Sequence, residues 1–256
     1  MYNMKLKKII FLFILFIIFF LKNTNAFENK ILIKINNEII TTLDVLNEIN
    51  YLKAFNKEIN KIEKNEIIEV AKNSLIKNKV KEIEIKKNIS KINIDQSNLD
   101  ELIKFIYSKI GMTNLDEFKN YLSSYNLTTD YIRKKIEIDT FWNEMIIKKY
   151  LSKISIDENA IKIELEKNKV INLNSYFLYE IVFNLENSEN LNNIFKSIEK
   201  TILKSGFKNA ALVHSISDSA IKGGELGWID QDMISNSIDK ELKNLQIGEY
   251  TKPIQT

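Results

Sequence analysis

The sequence predicts an α+β fold in two unlike parts. The first is mainly helical with a small β-hairpin, and the second has an α/β pattern. Apolar residues recur at helical spacing between about residues 42 and 168. Of the six glycines, five lie with the single proline in the last fifth of the 256 residues, and only Gly111 precedes them. So few turn formers exclude a collagenous chain or a many-turned β-sandwich. The absence of cysteine excludes a disulfide scaffold and a Cys nucleophile.

The first 26 residues have the order of a secretory signal peptide. Three lysines precede thirteen unbroken apolar residues, 9–21, and a short polar stretch ends at Ala26. We therefore expect export and cleavage after Ala26. Because a membrane span needs about 20 apolar residues, retention as an anchor is the weaker alternative. No stable membrane insertion is expected after cleavage.

Removing this segment changes the charge balance. The whole chain has 37 basic and 34 acidic side chains, and four of the lysines lie in the segment, which leaves 33 basic groups and a net charge near −1. A near-neutral chain with one arginine, Arg133, argues against a nucleic-acid partner. The helical part contains no histidine, metal-ligand cluster or phosphate loop, and we expect no cofactor.

The helical part is predicted to start with a hairpin. Residues 30–35 alternate in the manner of a strand, Asn36 and Asn37 favour a tight turn, and residues 38–41 return. Thr42 is expected to cap the first helix. Further helices are predicted over about 65–88, from Asp95 to Gly111, from Thr113, from Thr128 or Thr129, and from Asp157 to about Asn168. Their apolar stripes are most simply explained by helix packing.

The C-terminal part alternates strands and helices. Its strands are predicted at 175–183, 225–229 and 248–254, and its helices at 190–204, 207–213 and 233–242. Residues 215–224 form a loop, and Pro253 indicates an edge or the start of a strand.

Three blocks of this part carry a family resemblance. They are Phe207-x-Asn209-Ala210-Ala211, then Ser217-Asp218-x-Ala220-x-x-Gly223-Gly224-Glu225-Leu226-Gly227-Trp228, then Leu245-x-x-Gly248-Glu249-x-x-x-Pro253-Ile254. In this order and spacing they resemble the parvulin type of peptidyl-prolyl isomerase. With the hairpin and the helices, residues 28–256 resemble the SurA family of periplasmic chaperones. The resemblance implies a helical chaperone domain over 27–172 and a parvulin-like domain over 173–256.

The resemblance also implies a site. Its proline pocket would be lined by Leu226, Met233, Ile234 and Ile238, and its polar groups would be Asp218, or Ser217 beside it, and Glu180. Each has a plainer alternative: core packing for the apolar residues, a loop cap for the Asp218 region and a strand-end carboxylate for Glu180. His214 does not fall on a family histidine position and is interpreted as a surface or packing residue.

Two departures from the family pattern bear on activity. Glu180 stands where the family usually has a histidine. The family's last strand, with its Gly-x-His, would follow Thr256, so we expect a C-terminally truncated chain in which the strand near Tyr179 has an open edge. The alternative is a genuine short protein with a degenerate module. Whether the chain is an active isomerase is therefore left open.

The implied function is that of a periplasmic folding factor. It would bind unfolded or extended polypeptides, outer-membrane protein precursors above all, and a competent module would catalyse cis–trans isomerisation of X-Pro bonds. Two alternatives stay open: a non-catalytic holdase, whose binding would lie mainly in the helices, and a membrane-anchored foldase.

Overall fold

The structure is a computed structural model that describes residues 28–88, 96–151, 153, 157–159, 162–163, 174–185 and 190–255. The predicted signal peptide, the cap at Asp95 and most of the helix predicted from Asp157 lie outside the described residues. None of the helices in the described ranges is both long and apolar enough to cross a membrane.

The predicted hairpin is present. Strands β1 (Ile31–Ile35) and β2 (Glu38–Thr41) pair in antiparallel fashion, and Asn36 takes the positive φ of 52° that the turn requires. Helix α1 (Thr42–Phe55) is capped by Thr41, one residue earlier than predicted, in a capping box with Asp44. Thr42 is not the cap because its hydroxyl binds the backbone of Lys30 at the start of β1.

Among the described residues of the N-terminal part, 28–151, a short 3-10 helix (Ile59–Lys61) and four more α-helices follow. The α-helices are α2 (Lys64–Asn88), α3 (Gln96–Lys109), α4 (Leu115–Ser124) and α5 (Thr129–Leu151). Gly111, at φ +88°, follows the end of α3 as predicted. The cap of α4 is Asn114 rather than Thr113, because the Asn114 side chain accepts the Glu117 N–H at 2.9 Å. Thr113 instead donates its own N–H to the Glu117 carboxylate at 2.8 Å.

The C-terminal part, residues 174–255, is built around a two-stranded sheet. Strands β3 (Ser175–Tyr179) and β4 (Glu225–Asp230) pair in antiparallel fashion. The same part of the chain contains the helices α6 (Leu191–Ser205), α7 (Phe207–His214) and α8 (Asn236–Leu242). Short 3-10 helices cover Asp218–Lys222 and Gln231–Met233. Helix α8 begins later than predicted because Ser235 caps it, its hydroxyl accepting the Ile238 N–H.

Two predicted strands differ from the structure. Strand β3 ends at Tyr179 rather than near Phe183. Beyond Tyr179 the chain pairs with the 215–224 loop instead of β4, because the Val182 carbonyl accepts the Ile216 N–H at 2.8 Å. The strand predicted over 248–254 was wrong: this segment has no strand partner among the described residues. A strand requires such a partner for its ladder, and Pro253 has no N–H to donate.

The buried residues form two clusters. One lies between α3, α4 and α5 and includes Phe118, Leu122 and Ile132. The other packs the hairpin on α1 and α2 around Ile40 and Leu52. The second cluster also contains Leu212 of α7, which is only 6% exposed. The two parts that the sequence separates therefore share a hydrophobic core.

Candidate functional site

A large open cleft lies between the N-terminal and C-terminal parts. Its volume is about 2690 Å³. Helices α1, α3 and α5 contribute one wall, with Tyr51, Leu102 and Phe105 among its side chains. The four apolar residues predicted to form the proline pocket, Leu226, Met233, Ile234 and Ile238, all line the cleft, and so does Glu180. The structure thus brings five of the seven predicted site residues to one surface.

The apolar wall is positioned by β4 and by the turn that follows it. The alternation along β4 leaves Leu226 exposed on one face. The turn before α8 presents Ile234 and the first turn of α8 presents Ile238, and both line the cleft. Asp239 fixes this turn, because its carboxylate accepts hydrogen bonds from Tyr176 at 3.2 Å and from Gln231 at 3.0 Å. Met233 is 73% exposed and lies at the rim.

Glu180 begins a chain of hydrogen-bonded hydroxyl groups. Its Oε1 accepts the Ser219 hydroxyl at 2.8 Å. Ser219 and Ser217 are 2.6 Å apart through their Oγ atoms, and Ser217 and Ser215 are 2.9 Å apart. The Ser215 hydroxyl accepts the Val182 N–H at 3.0 Å. Ser217, one of the predicted polar residues, is therefore connected to Glu180 through Ser219, although Ser217 does not itself line the cleft.

Asp218 is directed elsewhere. Its Oδ2 lies 3.3 Å from Lys81 Nζ on α2, and Lys81 also binds Asp139 of α5 at 3.0 Å. Asp218 does not line the cleft. Burial alone would lower the pKa of Lys81, but its hydrogen bonds and charge interactions with the two aspartates raise it above its usual range. Lys81 is consequently protonated and bridges the loop to the N-terminal part.

Gly224 permits the close approach of the loop to β3. Its carbonyl accepts the Glu180 N–H at 2.8 Å. At φ +79°, a Cβ on this residue would lie 2.2 Å from the Glu180 carbonyl oxygen. Only glycine fits such a position, since 2.2 Å is far inside van der Waals contact and the φ is unfavourable for other residues.

His214 takes no part in the cleft. Its Nε2 lies 2.8 Å from Thr201 Oγ1 on α6, and burial lowers the pKa of its imidazole. His214 is the last residue of α7 and contacts α6, so of its two expected roles, surface or packing, it has the packing role.

Sequence reasoning missed Ser219, which joins Glu180 to Ser217. A signal was available, because serines at 215, 217 and 219 recur every second residue, the spacing that places side chains on one side of an extended chain. No sequence signal pointed to Lys77 and Lys81, the lysines of α2 that contact this loop, because 36 of the 37 basic residues are lysine.

Comparison with known proteins identifies relatives of the chain. Residues 180–256 match the family model of the PPIC-type PPIASE domain, also called rotamase. The chain is 26% identical over 175 residues to "Chaperone SurA" of Pseudomonas putida, covering 65% of this chain and 41% of that protein. It is 27% identical over 182 residues to "Chaperone SurA" of Hahella chejuensis, covering 64% and 40%. The chain thus spans about two-fifths of the length of these curated relatives.

Solved structures of PrsA proteins also match. The crystal structure of PrsA from Bacillus subtilis gives a TM-score of 0.27 at 19% identity, covering 89% of this chain and 73% of that one. Foldase protein PrsA from Streptococcus pneumoniae gives 0.25 at 17% identity, covering 85% and 70%. On the family match alone, residues 180–256 are a PPIC-type PPIASE domain, and the chain is similar in sequence to the SurA chaperones.

Proposed function

We propose that this protein is an extracytoplasmic folding factor that binds unfolded polypeptides in the cleft and isomerises their X-Pro bonds there. The observation that carries the proposal is the convergence of Leu226, Ile234 and Ile238 with Glu180 on one cleft, within the segment that matches the PPIC-type domain. An apolar wall with few polar groups is the usual composition of a small-ligand site.

The proposed chemistry requires no bond to break. The barrier to rotation about the peptide bond is about 18–20 kcal/mol and arises from amide resonance. A catalyst lowers it by binding the twisted amide more tightly than the planar one. The apolar wall would hold the proline ring, and burial of most of one ring is worth only about 2 kcal/mol. We therefore expect weak affinity for short peptides.

The polar groups would act on the twisted amide. Of the predicted residues, Glu180 is favoured for this role because it lines the cleft. Ser217 would act through it, since Ser219 joins the two by hydrogen bonds. Asp218 has a different role in the proposal, since its carboxylate faces Lys81. It would hold the loop that carries Ser217.

The test of catalysis is exchange between the cis and trans forms of a short X-Pro peptide, followed by NMR without an added protease. A protease would attack this lysine-rich chain. We expect exchange to accelerate in proportion to protein concentration, and Ile234→Ala with Ile238→Ala to reduce the acceleration. Leu203→Ala is the matched control, because Leu203 is an apolar residue on α6, 84% exposed and outside the cleft lining. No acceleration at micromolar protein would refute the isomerase proposal.

A second candidate function is that of a non-catalytic holdase. It is favoured by Glu180 at the position of the usual family histidine and by exposed aromatic surface on the helical wall, where Phe105 is 66% exposed. Suppression of aggregation of an unfolded β-barrel protein tests it. We expect Phe105→Ser to weaken suppression and Leu203→Ser to leave it unchanged. Equal effects of the two changes would contradict binding in the cleft.

The setting and the clients are part of the proposal. We place the protein in the periplasm after cleavage at Ala26, with outer-membrane protein precursors as clients. N-terminal sequencing of the protein from osmotic-shock fluid tests the location, with Phe27 expected as the first residue. Recovery with the membranes and an intact N-terminus would favour the anchored foldase instead. Crosslinking in cells, followed by identification of bound precursors, tests the clients.

A further inference from the structure

The loop that carries Ser217 is held by a helix of the other part of the molecule. Lys77 and Lys81 lie four residues apart on α2, and therefore on one face of that helix. Lys77 Nζ donates to the carbonyl oxygen of Ile216 at 2.9 Å. Lys81 Nζ donates to the carboxylate of Asp218 at 3.3 Å. The two lysines thus bind the residues immediately before and after Ser217.

The contact made by Lys81 differs from an ordinary surface ion pair. The Lys81 side chain is 13% exposed. It lies between Asp139 and Asp218, so the charge of one partly buried cation is shared by two anions on different elements. The carboxylates of Asp139 and Asp218 are themselves 59% and 67% exposed, so the burial lies on the lysine side of each pair. Removing the lysine leaves both carboxylates without this partner.

Apolar packing holds the loop at its two ends. Leu212, before the loop, belongs to the core of the N-terminal part, and Ile221, near the end of the loop, packs against the same core. Between these ends, Lys77 of α2 binds the loop backbone and Lys81 of α2 binds a loop side chain. The segment that carries the hydroxyl chain is thereby held on one side by Glu180 and on the other by α2.

We infer that Lys77 and Lys81 are positioning residues for the candidate isomerase site, and that α2 of the N-terminal part sets the place of Ser217. The catalytic consequence rests on the proposed function, whereas the structural consequence does not. Two hydrogen bonds hold the residues that flank Ser217, and Ser217 is joined through Ser219 to Glu180 in the cleft. A shift of the loop would therefore displace Glu180, and small displacements of a group that acts on the reacting atoms cost large factors in rate. The isomerase site therefore depends on both parts of the chain: the PPIC-type segment supplies its polar groups, and the helical part holds them in position.

The experiment compares the exported chain carrying Lys77→Met and Lys81→Met with the wild type. Hydrogen exchange is measured at the amides of Ile216, Ala220, Gly223 and Gly224, each of which donates a backbone hydrogen bond in the loop. We expect exchange about tenfold faster at these amides and unchanged in α4. For X-Pro exchange we expect kcat to fall about tenfold with KM nearly unchanged. The variant with Lys77→Arg and Lys81→Arg keeps both charges, and we expect it to restore amide exchange and kcat to the wild-type values. Such a result would distinguish a positioning role from a general loss of stability.

The matched control carries Lys72→Met and Lys87→Met, two lysines of the same helix whose acidic partners, Glu69 and Glu84, lie on α2 itself. This control is expected to leave both measurements unchanged. If the double variant fails to fold, Asp218→Asn removes only the loop side of the bridge and must still accelerate exchange at these amides. Unchanged exchange in a folded double variant, or in Asp218→Asn when the double variant does not fold, overturns the inference. An inactive wild type would refute the proposed catalysis, and the exchange measurement would still decide whether α2 holds the loop.

Discussion

Asn56 and Asn209 join the two parts of the chain through their side chains. Asn56 Nδ2 donates to Asn209 Oδ1 at 2.9 Å, across 153 residues of sequence. Asn209 Nδ2 in turn donates to the carbonyl oxygens of Glu58 at 3.0 Å and Ser205 at 2.9 Å. Asn209 is fully buried. Each hydrogen-bonding atom of its amide is therefore used, and the asparagine fixes how α7 meets the end of α1.

Replacement of Asn209 by alanine should destabilise the whole molecule. It leaves the Glu58 carbonyl and the Asn56 amide without this partner at part-buried positions, which costs about 1–3 kcal/mol of unfolding free energy. Urea unfolding followed by circular dichroism measures the loss. Asn244→Ala is the control, because Asn244 makes one exposed hydrogen bond to Lys240. A loss no larger than that of the control would contradict the role given to Asn209.

Gly224→Ala should disrupt the approach of the loop to β3. The new Cβ would meet the Glu180 carbonyl oxygen at 2.2 Å. Gly248→Ala is a matched control, since Gly248 has a similar φ of +95° but no atom within 4 Å of its ideal Cβ. The control should cost about 1–2 kcal/mol for the unfavourable φ. Gly224→Ala should cost clearly more and abolish X-Pro catalysis. Equal costs in urea unfolding would show that the close approach is unimportant.

The buried carboxylate of Glu48 should be a major stabilising group of the helical part. It is fully buried and accepts hydrogen bonds from Ser74 and Tyr131, both at 2.6 Å. Lys135 Nζ lies 2.8 Å from its Oε2. Glu48→Leu leaves Lys135, with a side chain 13% exposed, unpaired, so we expect a loss of about 3–5 kcal/mol.

Adding Lys135→Met to Glu48→Leu should recover part of that loss, because the unpaired charge is then gone. The unfolding free energies of the two single variants and the double variant measure the coupling between the residues. Glu69→Leu, which breaks an exposed pair with Lys72, should cost less than about 1 kcal/mol. Strict additivity of the two buried changes would contradict the pairing.

The pH dependence expected for the single histidine, His214, can be measured directly. Burial lowers the pKa of His214 in the folded state, so the unfolded chain binds a proton more readily. Its contribution to stability is therefore complete above about pH 6.5 and is lost as the pH falls through the lowered pKa of the folded state. An NMR titration of the single imidazole should give a midpoint below that of an unfolded peptide. His214→Gln should remove this component of acid destabilisation, and a midpoint at or above the peptide value would disprove the prediction.

Local features of the chain were predictable from its sequence. The helix ends near Gly111 and Gly206, the turn at Asn36 and the strand entered at Gly224 all depend on positive φ, which few residue types adopt. The cap of α1 was misplaced by one residue because Thr41 and Thr42 are both good caps. The two threonines differ only in their hydrogen-bond partners: Thr41 accepts the Asp44 N–H inside the helix, and Thr42 accepts the Lys30 N–H at the start of the hairpin.

The relations between elements were not predictable. The apolar stripe of α7 indicates a buried face, but it does not say that Leu212 joins the core around Ile40. The strand predicted over 248–254 failed for the same reason, since a strand depends on a partner that lies elsewhere in the sequence. The pocket residues came from the family resemblance. The connection of Ser217 to Glu180 through Ser219, and the placement of Asp218 beside Lys81, required coordinates.

The shared core affects the order in which the chain can fold. Because synthesis starts at the N-terminus, the hairpin and α1 are made long before α7. Until Leu212 arrives, Ile40 and Leu52 lack one of their neighbours, and Asn56 lacks a partner that is 153 residues away. Contacts of such long range slow folding and leave apolar surface exposed meanwhile. A protein proposed to bind unfolded chains would thus pass through a vulnerable period of its own, in which it is itself a client for a copy that has already folded.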